Sequence, residues 1–165
     1  MPIRAGDKTP AKYYLGDVVP SAVYCGDELV WPIYAAAGMS KTGNHSVTTA
    51  FADVTGWSAD TAYPGSQLSG NAGLVVQQPK QNATITVSLV GANSGFSAAT
   101  FQLRAMVNNV VIGSAGTAVS VPASGTNTAT LTVTGVSVAT GDVVRVQAVG
   151  SAPLTAQMPG WVRIV

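Results

Sequence analysis

Between Asn127 and Val149 the sequence alternates polar and apolar side chains with a period of two, and this stretch limits the fold more than any other. Thr128, Thr130, Thr132 and Thr134 interleave with Ala129, Leu131 and Val133, the pattern of a strand with one buried and one wet face. After the break Ser137-Val138-Ala139-Thr140-Gly141-Asp142, Val144, Val146 and Ala148 face one way while Arg145 and Gln147 face the other. Two such runs hinged on Gly-Asp predict a buried antiparallel pair, with the remaining strands as its partners. The expected fold class is all-β.

From Thr49 onward the chain reads as strands and turns. Phe51, Val54 and Trp57 mark a first strand, broken by Gly56, and Thr61–Gly73 reads as loop through Tyr63-Pro64-Gly65 and Ser69-Gly70-Asn71. Leu74–Gln78 and Ala83–Val90 follow, then the turn cluster Gly91–Gly95. Phe101, Leu103, Ala105 and Val107 lead to Asn108-Asn109, a pair that tolerates the left-handed conformations of a tight hairpin, and Val110-Val111-Ile112 returns. With Ala118–Val121 and Trp161–Val165 this gives roughly eight closely spaced strands, a sandwich or barrel.

Residues 1–34 carry a repeat offset by ten positions: Tyr14-Leu15-Gly16-Asp17-Val18-Val19 is echoed by Tyr24-Cys25-Gly26-Asp27-Glu28-Leu29. Gly-Asp suits a tight turn, and Pro20 and Pro32, which cannot donate to a ladder, belong at strand ends. The predicted two-hairpin module is too small to be stable alone and reads as a docking piece, with Tyr14, Tyr24 and Trp31 as its anchors. Ala35–Thr48, rich in Ala, Gly, Ser and Asn, reads as a linker, with His45 solvated in it. The predicted organisation is a docking module at 1–34, a linker at 35–48 and a β-sandwich at 49–165.

Charged residues make up only 9% of the chain and the formal net charge is +1, so nothing steers it toward nucleic acid or an acidic membrane. Its Ser-, Thr-, Asn- and Gln-rich faces suit a rigid β-protein or burial against sister subunits, where unpaired charge is costly. Cys25 stands alone, which excludes an intrachain disulfide and a cysteine-based zinc site. Asp17, Asp27 and Glu28 are too few for calcium, which takes about six to eight oxygens. No metal and no cofactor is expected. The start Met1-Pro2-Ile3-Arg4 has no apolar run of a signal peptide and no stretch reaches the length of a membrane span, so synthesis and retention in a cytoplasm are expected.

Catalysis finds no support. The region from 49 onward holds only the carboxylates Asp53, Asp60 and Asp142, the chain has one His, and no nucleophile elbow occurs. The expectation is a non-enzyme. Trp57, Tyr63 and Trp161 are candidate stacking platforms for a sugar, Trp57 and Tyr63 foremost, with core packing the competing explanation.

Two resemblances bear on function. The hairpin Phe101–Ile112 with asparagines at its tip, the run Val138-Ala139-Thr140-Gly141-Asp142-Val143-Val144-Arg145-Val146, and the last strand approached through Gly160-Trp161 together resemble the jelly rolls of tumour necrosis factor and the complement globular heads. That resemblance covers roughly residues 49–165 and implies a jelly-roll β-sandwich and a homotrimer with its last strands near the threefold axis. The doubled Tyr-x-Gly-Asp unit closing on Val30-Trp31-Pro32 resembles a module of tailed-bacteriophage virion proteins, especially minor tail proteins of phages infecting actinobacteria. It implies a structural virion protein, assembled in the host cytoplasm, that docks on other virion proteins and projects a jelly roll. A capsid decoration or head-fibre protein has the same plan, and a carbohydrate-binding module that contacts a host-surface glycan is the reading of a different class.

Overall fold

A computed structural model describes residues 22–25, 28–32 and 34–165, with side chains from Tyr34 onward. The chain divides into two units, Met1–Tyr34 and Ala35–Val165. In the first, β1 (Ala22–Cys25) pairs antiparallel with β2 (Glu28–Pro32), Val23 opposite Trp31 and Cys25 opposite Glu28. The strands on either side of the Gly-Asp pair in the second Tyr-x-Gly-Asp copy are thus paired, and Gly26-Asp27, expected as a tight turn, lies outside the described residues. The first copy, with Tyr14, lies outside the described residues.

The second unit opens with β3 (Ala37–Lys41), β4 (His45–Val47), β5 (Ala52–Asp53), β6 (Trp57–Ala59), β7 (Gln67–Ser69) and β8 (Gly73–Val75). The longer strands follow: β9 (Lys80–Ala92), β10 (Ala99–Val107), β13 (Thr126–Val138), β14 (Val143–Gly150) and β15 (Leu154–Ile164), with β11 (Val110–Ile112) and β12 (Val119–Val121) short between them. One sheet runs β11-β10-β14-β8-β7, with β12 beside β10 and β5 beside β14. The other runs β13-β9-β15-β3-β6, with β4 beside β15. The two form a jelly-roll-like sandwich, and Phe101, Met39, Leu74, Ile85, Leu89, Leu103 and Ile164 fill the space between them, fully buried. Among the described residues no helix is long and apolar enough to cross a membrane.

The alternation that opened the reading is realised. Ala129, Leu131 and Val133 point inward and the intervening threonines face water, while Val144, Val146 and Ala148 are buried on β14. The expected pairing of these two runs with each other does not occur. β13 pairs with β9, Leu131 opposite Val87, and β14 pairs with β10, Val146 opposite Ala105. The connection between them crosses from one sheet to the other. Its corner is tied by Asp142, whose Oδ2 accepts from the Ala139 N–H at 2.7 Å, and by Gly141 at φ +89°. A period of two says which face is buried but is silent about which strand lies alongside. The Asn108-Asn109 turn is as expected: both residues have positive φ, 49° and 67°, and Val107 sits opposite Val110.

The linker expected at 35–48 is corrected. β3 and β4 lie in that segment, and both pair with the last strand, Met39 opposite Val162 and His45 opposite Ala156. Ala37 and Met39 are core residues at 2% and 0% exposure. The small residues here serve close packing: a Cβ on Gly38 would stand 3.0 Å from Tyr63 Cδ2. Two further differences concern extent. The final strand begins at Leu154 rather than Trp161, and the segment read as loop at 61–73 contains β7.

Candidate functional site

The residues singled out from the sequence come to very different places. Tyr24 and Trp31 lie on the paired strands of the first unit, where backbone register alone is described. Trp57, expected as a sugar platform, belongs to the core. It is 5% exposed, its Nε1–H donates to the Val54 carbonyl at 2.7 Å, and it lies on β6 opposite Lys41. Tyr63 packs by Gly38, on the other side of the sheet, so the two rings form no common platform. Tyr63 is half-buried and shares the Arg163 guanidinium with Trp161, the guanidinium carbon lying 5.1 Å and 4.4 Å from the two ring centroids.

Lys41 is buried, against the expectation of a solvated loop. Its side chain runs inward and its Nζ donates to the carbonyls of Gly43, Thr55 (2.7 Å) and Gly56 (3.4 Å), with the Trp57 ring centroid 5.7 Å away. Burial holds its pKa below the usual lysine value. His45, expected in open solvent, lies on β4 with Nδ1 3.1 Å from Thr55 Oγ1, and the Thr55 N–H donates to it. Burial and then the nearby Lys41 charge lower its pKa, while Asp53 acts in the opposite sense. Every polar contact of this cluster ties loop to strand, which is a structural task.

The outer face of the β10–β14 sheet carries a second polar cluster. Arg104 lies over Phe51, 4.2 Å from its centroid, and donates through Nε to Gln147 Oε1 at 2.7 Å. Gln147 donates onward to Asp53, and Arg145 reaches Asp53 at 3.6 Å and Asn109 Oδ1 at 2.6 Å. The three carboxylates of the sandwich are all engaged locally, Asp60 with Ser40 and the Ala62 N–H and Asp142 with Asn108 and Ala139. Among the described residues no group of three or more His, Cys, Asp or Glu side chains is placed to hold a metal ion.

One end of the sandwich differs from both clusters. At this end Ala92 of β9 stands opposite Thr155, whereas Ala37, where the sheet begins, stands opposite Ile164 at the other end. The loop after β9 displays Phe96 with its side chain wholly exposed, 100% by area. That loop is held firmly. Buried Asn93 donates through Nδ2 to the carbonyls of Ser97 (2.8 Å) and Val121 (3.3 Å), and its Oδ1 accepts from the Gly95 N–H (2.8 Å). Backbone bonds from Asn93 to Gly125 and from Ser124 to Gly95 complete the brace. Beside it is a depression of about 350 Å³ lined by Ser46, Val47, Thr48, Thr49, Ser94, Pro153, Leu154 and Thr155.

Sequence reasoning missed both Asn93 and Phe96, absorbing the first into a turn cluster and passing over the second. The available signal was an aromatic placed directly after Asn93-Ser94-Gly95, inside a turn rather than on an alternating strand.

No protein-family model matches the chain, and no curated protein matches it. Solved structures do. Eiger TNF from S. frugiperda overlays with a TM-score of 0.56 at 13% identity, over 79% of this chain and 90% of that one. Murine APRIL overlays with a TM-score of 0.53 at 11% identity, over 79% and 96%. The PRD1 vertex protein P5 reaches 0.45 at 17% identity, over 81% and 98%, too distant an overlay to carry an argument. The sandwich has the TNF-like jelly-roll fold, and at these identities the likeness concerns the fold alone.

Proposed function

We propose that the chain is a structural protein of a tailed-bacteriophage virion, a minor tail appendage that docks through residues 1–34 and projects the sandwich outward. The observation that carries this reading is the order of parts. A doubled Tyr-x-Gly-Asp unit ending in Trp31-Pro32, similar to modules of tail proteins, precedes in sequence a TNF-like sandwich whose first strand begins at Ala37. Tyr14, Tyr24 and Trp31 are the proposed anchors on neighbouring virion proteins.

The reading includes a homotrimer. Thr128, Thr130, Thr132 and Thr134 present an uncharged, hydroxyl-bearing strand face, which a sister subunit covers at low desolvation cost. It also includes no catalysis, supported by carboxylates already spent on turns and struts. The protein is assembled in the host cytoplasm and resides in the particle.

Immunogold labelling of purified particles with an antibody to the sandwich tests the reading. Gold on the tail is the expected result. Gold on the capsid shell assigns the protein to head decoration instead, and its absence from particles by both labelling and mass spectrometry removes the virion reading.

A further inference from the structure

We propose that the end of the sandwich built from segments 46–49, 93–97 and 153–155 is a binding site for a neutral carbohydrate. Phe96 is the stacking platform, and Ser46, Thr49, Ser94 and Thr155 supply the polar contacts. The inference concerns the sandwich itself and holds whichever surface receives residues 1–34.

Three observations carry it. The first is the absence of charge. Segments 46–50, 92–100, 120–128 and 150–155, which run through this end, contain no Asp, Glu, Lys or Arg, and Arg104, which lies over Phe51 next along the chain, is bonded to Gln147. A phosphorylated, sulfated or carboxylated ligand finds no counter-ion here, and a charged peptide finds no partner.

The second is the lining. Among the described residues the hydroxyls of Ser46, Thr49, Ser94 and Thr155 take no part in hydrogen bonds within the chain, whereas Thr48 Oγ1 is committed to the Ala50 carbonyl at 3.0 Å. Each free hydroxyl can donate once and accept twice, which matches the hydroxyl-for-hydroxyl chemistry of a sugar. Exposed Pro153 adds apolar surface for its C–H faces, above the buried Val47 and Leu154. The depression is about 350 Å³, the small end of the range for small-ligand sites, and suits one or two sugar rings.

The third is Phe96. A fully exposed phenyl ring on a braced loop loses little freedom on binding, because Asn93 has already ordered the backbone beneath it. The ring's negative face attracts the polarised C–H groups of a pyranose. The wholly apolar alternative, an aromatic anchor for a protein groove, leaves the adjacent hydroxyls unused.

The test applies the full-length protein to arrayed neutral oligosaccharides alongside their sialylated and sulfated counterparts, followed by saturation-transfer NMR with the strongest neutral hit. Wild type is expected to retain at least one neutral glycan. Phe96→Ala is expected to weaken binding by about tenfold or more, and Ser94→Val by a smaller factor. Tyr63→Ala is expected to leave binding unchanged. Phe96 is wholly exposed, so circular dichroism of Phe96→Ala should match wild type. The proposal is overturned if wild type retains no neutral glycan, if only charged glycans are retained, or if Phe96→Ala binds as well as wild type. Capture of a host-envelope protein that survives enzymatic removal of its sugars, and is lost in Phe96→Ala, assigns the end to protein recognition and overturns it equally.

Discussion

Lys41 donates from Nζ to the carbonyl oxygen of Thr55 at 2.7 Å, tying the end of β3 to the loop between β5 and β6. The same ammonium also serves Gly43 and Gly56, and its residue is 4% exposed. Among the described residues no carboxylate bonds to it, and carbonyl dipoles with the nearby Trp57 ring face its charge. Lys41→Met keeps most of the apolar stem but strands buried acceptors, and is expected to destabilise the sandwich by about 2–4 kcal/mol. Chemical denaturation of the two proteins measures this. A loss below about 0.5 kcal/mol, the ordinary range for surface positions, would remove the brace from the account.

A pH dependence follows from His45. Burial, seconded by the Lys41 charge, sets its folded pKa below the usual histidine value of about 6.5. Between the two values the unfolded chain binds a proton that the folded chain refuses, so stability rises with pH across that window. The contribution is complete above about pH 6.5 and is lost as pH falls toward the folded pKa. Melting temperatures from pH 7.5 down to 5.5 are expected to fall more steeply for wild type than for His45→Asn. Parallel curves would contradict this assignment.

Gly91 lies at a close crossing of the two sheets. A Cβ there would stand 2.6 Å from Cδ1 of Phe101, which is fully buried. Gly91→Ala is therefore expected to force the ring aside and cost about 1–3 kcal/mol, the usual penalty for overpacking. Thermal unfolding of the variant checks it, and an unchanged midpoint would mean the ring has room that its burial denies.

The faces of the strands were legible in the sequence, because burial imposes a period of two on each strand separately. Thr132 outward and Leu131 inward needed no partner to be inferred. The partners were not legible. β13 and β14 adjoin in sequence yet lie in different sheets, and Met39 meets Val162 across more than a hundred residues. Short strands such as β3 owe their conformation to that distant ladder, so Ala37-Gly38-Met39-Ser40-Lys41 looked like linker by composition. Aromatic identity misled in the same way. Trp57 and Phe96 are both lone rings near glycine, and only the fold decides that one is core and the other bare.

The corrected domain start yields a truncation test. Removal of residues 1–48 deletes β3 and β4 and leaves β15 without neighbours on one side. A chain starting at Ala35 keeps both sheets complete. Residues 35–165 are expected to be soluble and to unfold cooperatively, whereas 49–165 is expected to aggregate through its exposed edge or melt well below it. Equal stability of the two fragments would show that β3 and β4 are dispensable.

Attachment is the last expectation, and it depends on the size of the N-terminal unit. β1 and β2 form a two-stranded piece, which is marginal in water unless something covers it. Tyr14, Tyr24 and Trp31 concentrate aromatic area in a short segment, the composition of an interface anchor. A chain lacking residues 1–34 is therefore expected to keep its β circular dichroism but fail to join the particle. Trp31→Ala is expected to reduce incorporation more than Lys12→Ala, since aromatic residues are enriched and lysines depleted in packed interfaces. The comparison uses purified particles that lack the native copy, incubated with each protein and recovered by sedimentation. Incorporation of the truncated sandwich at the level of the full-length chain would place the attachment surface on the sandwich and end the docking role of residues 1–34.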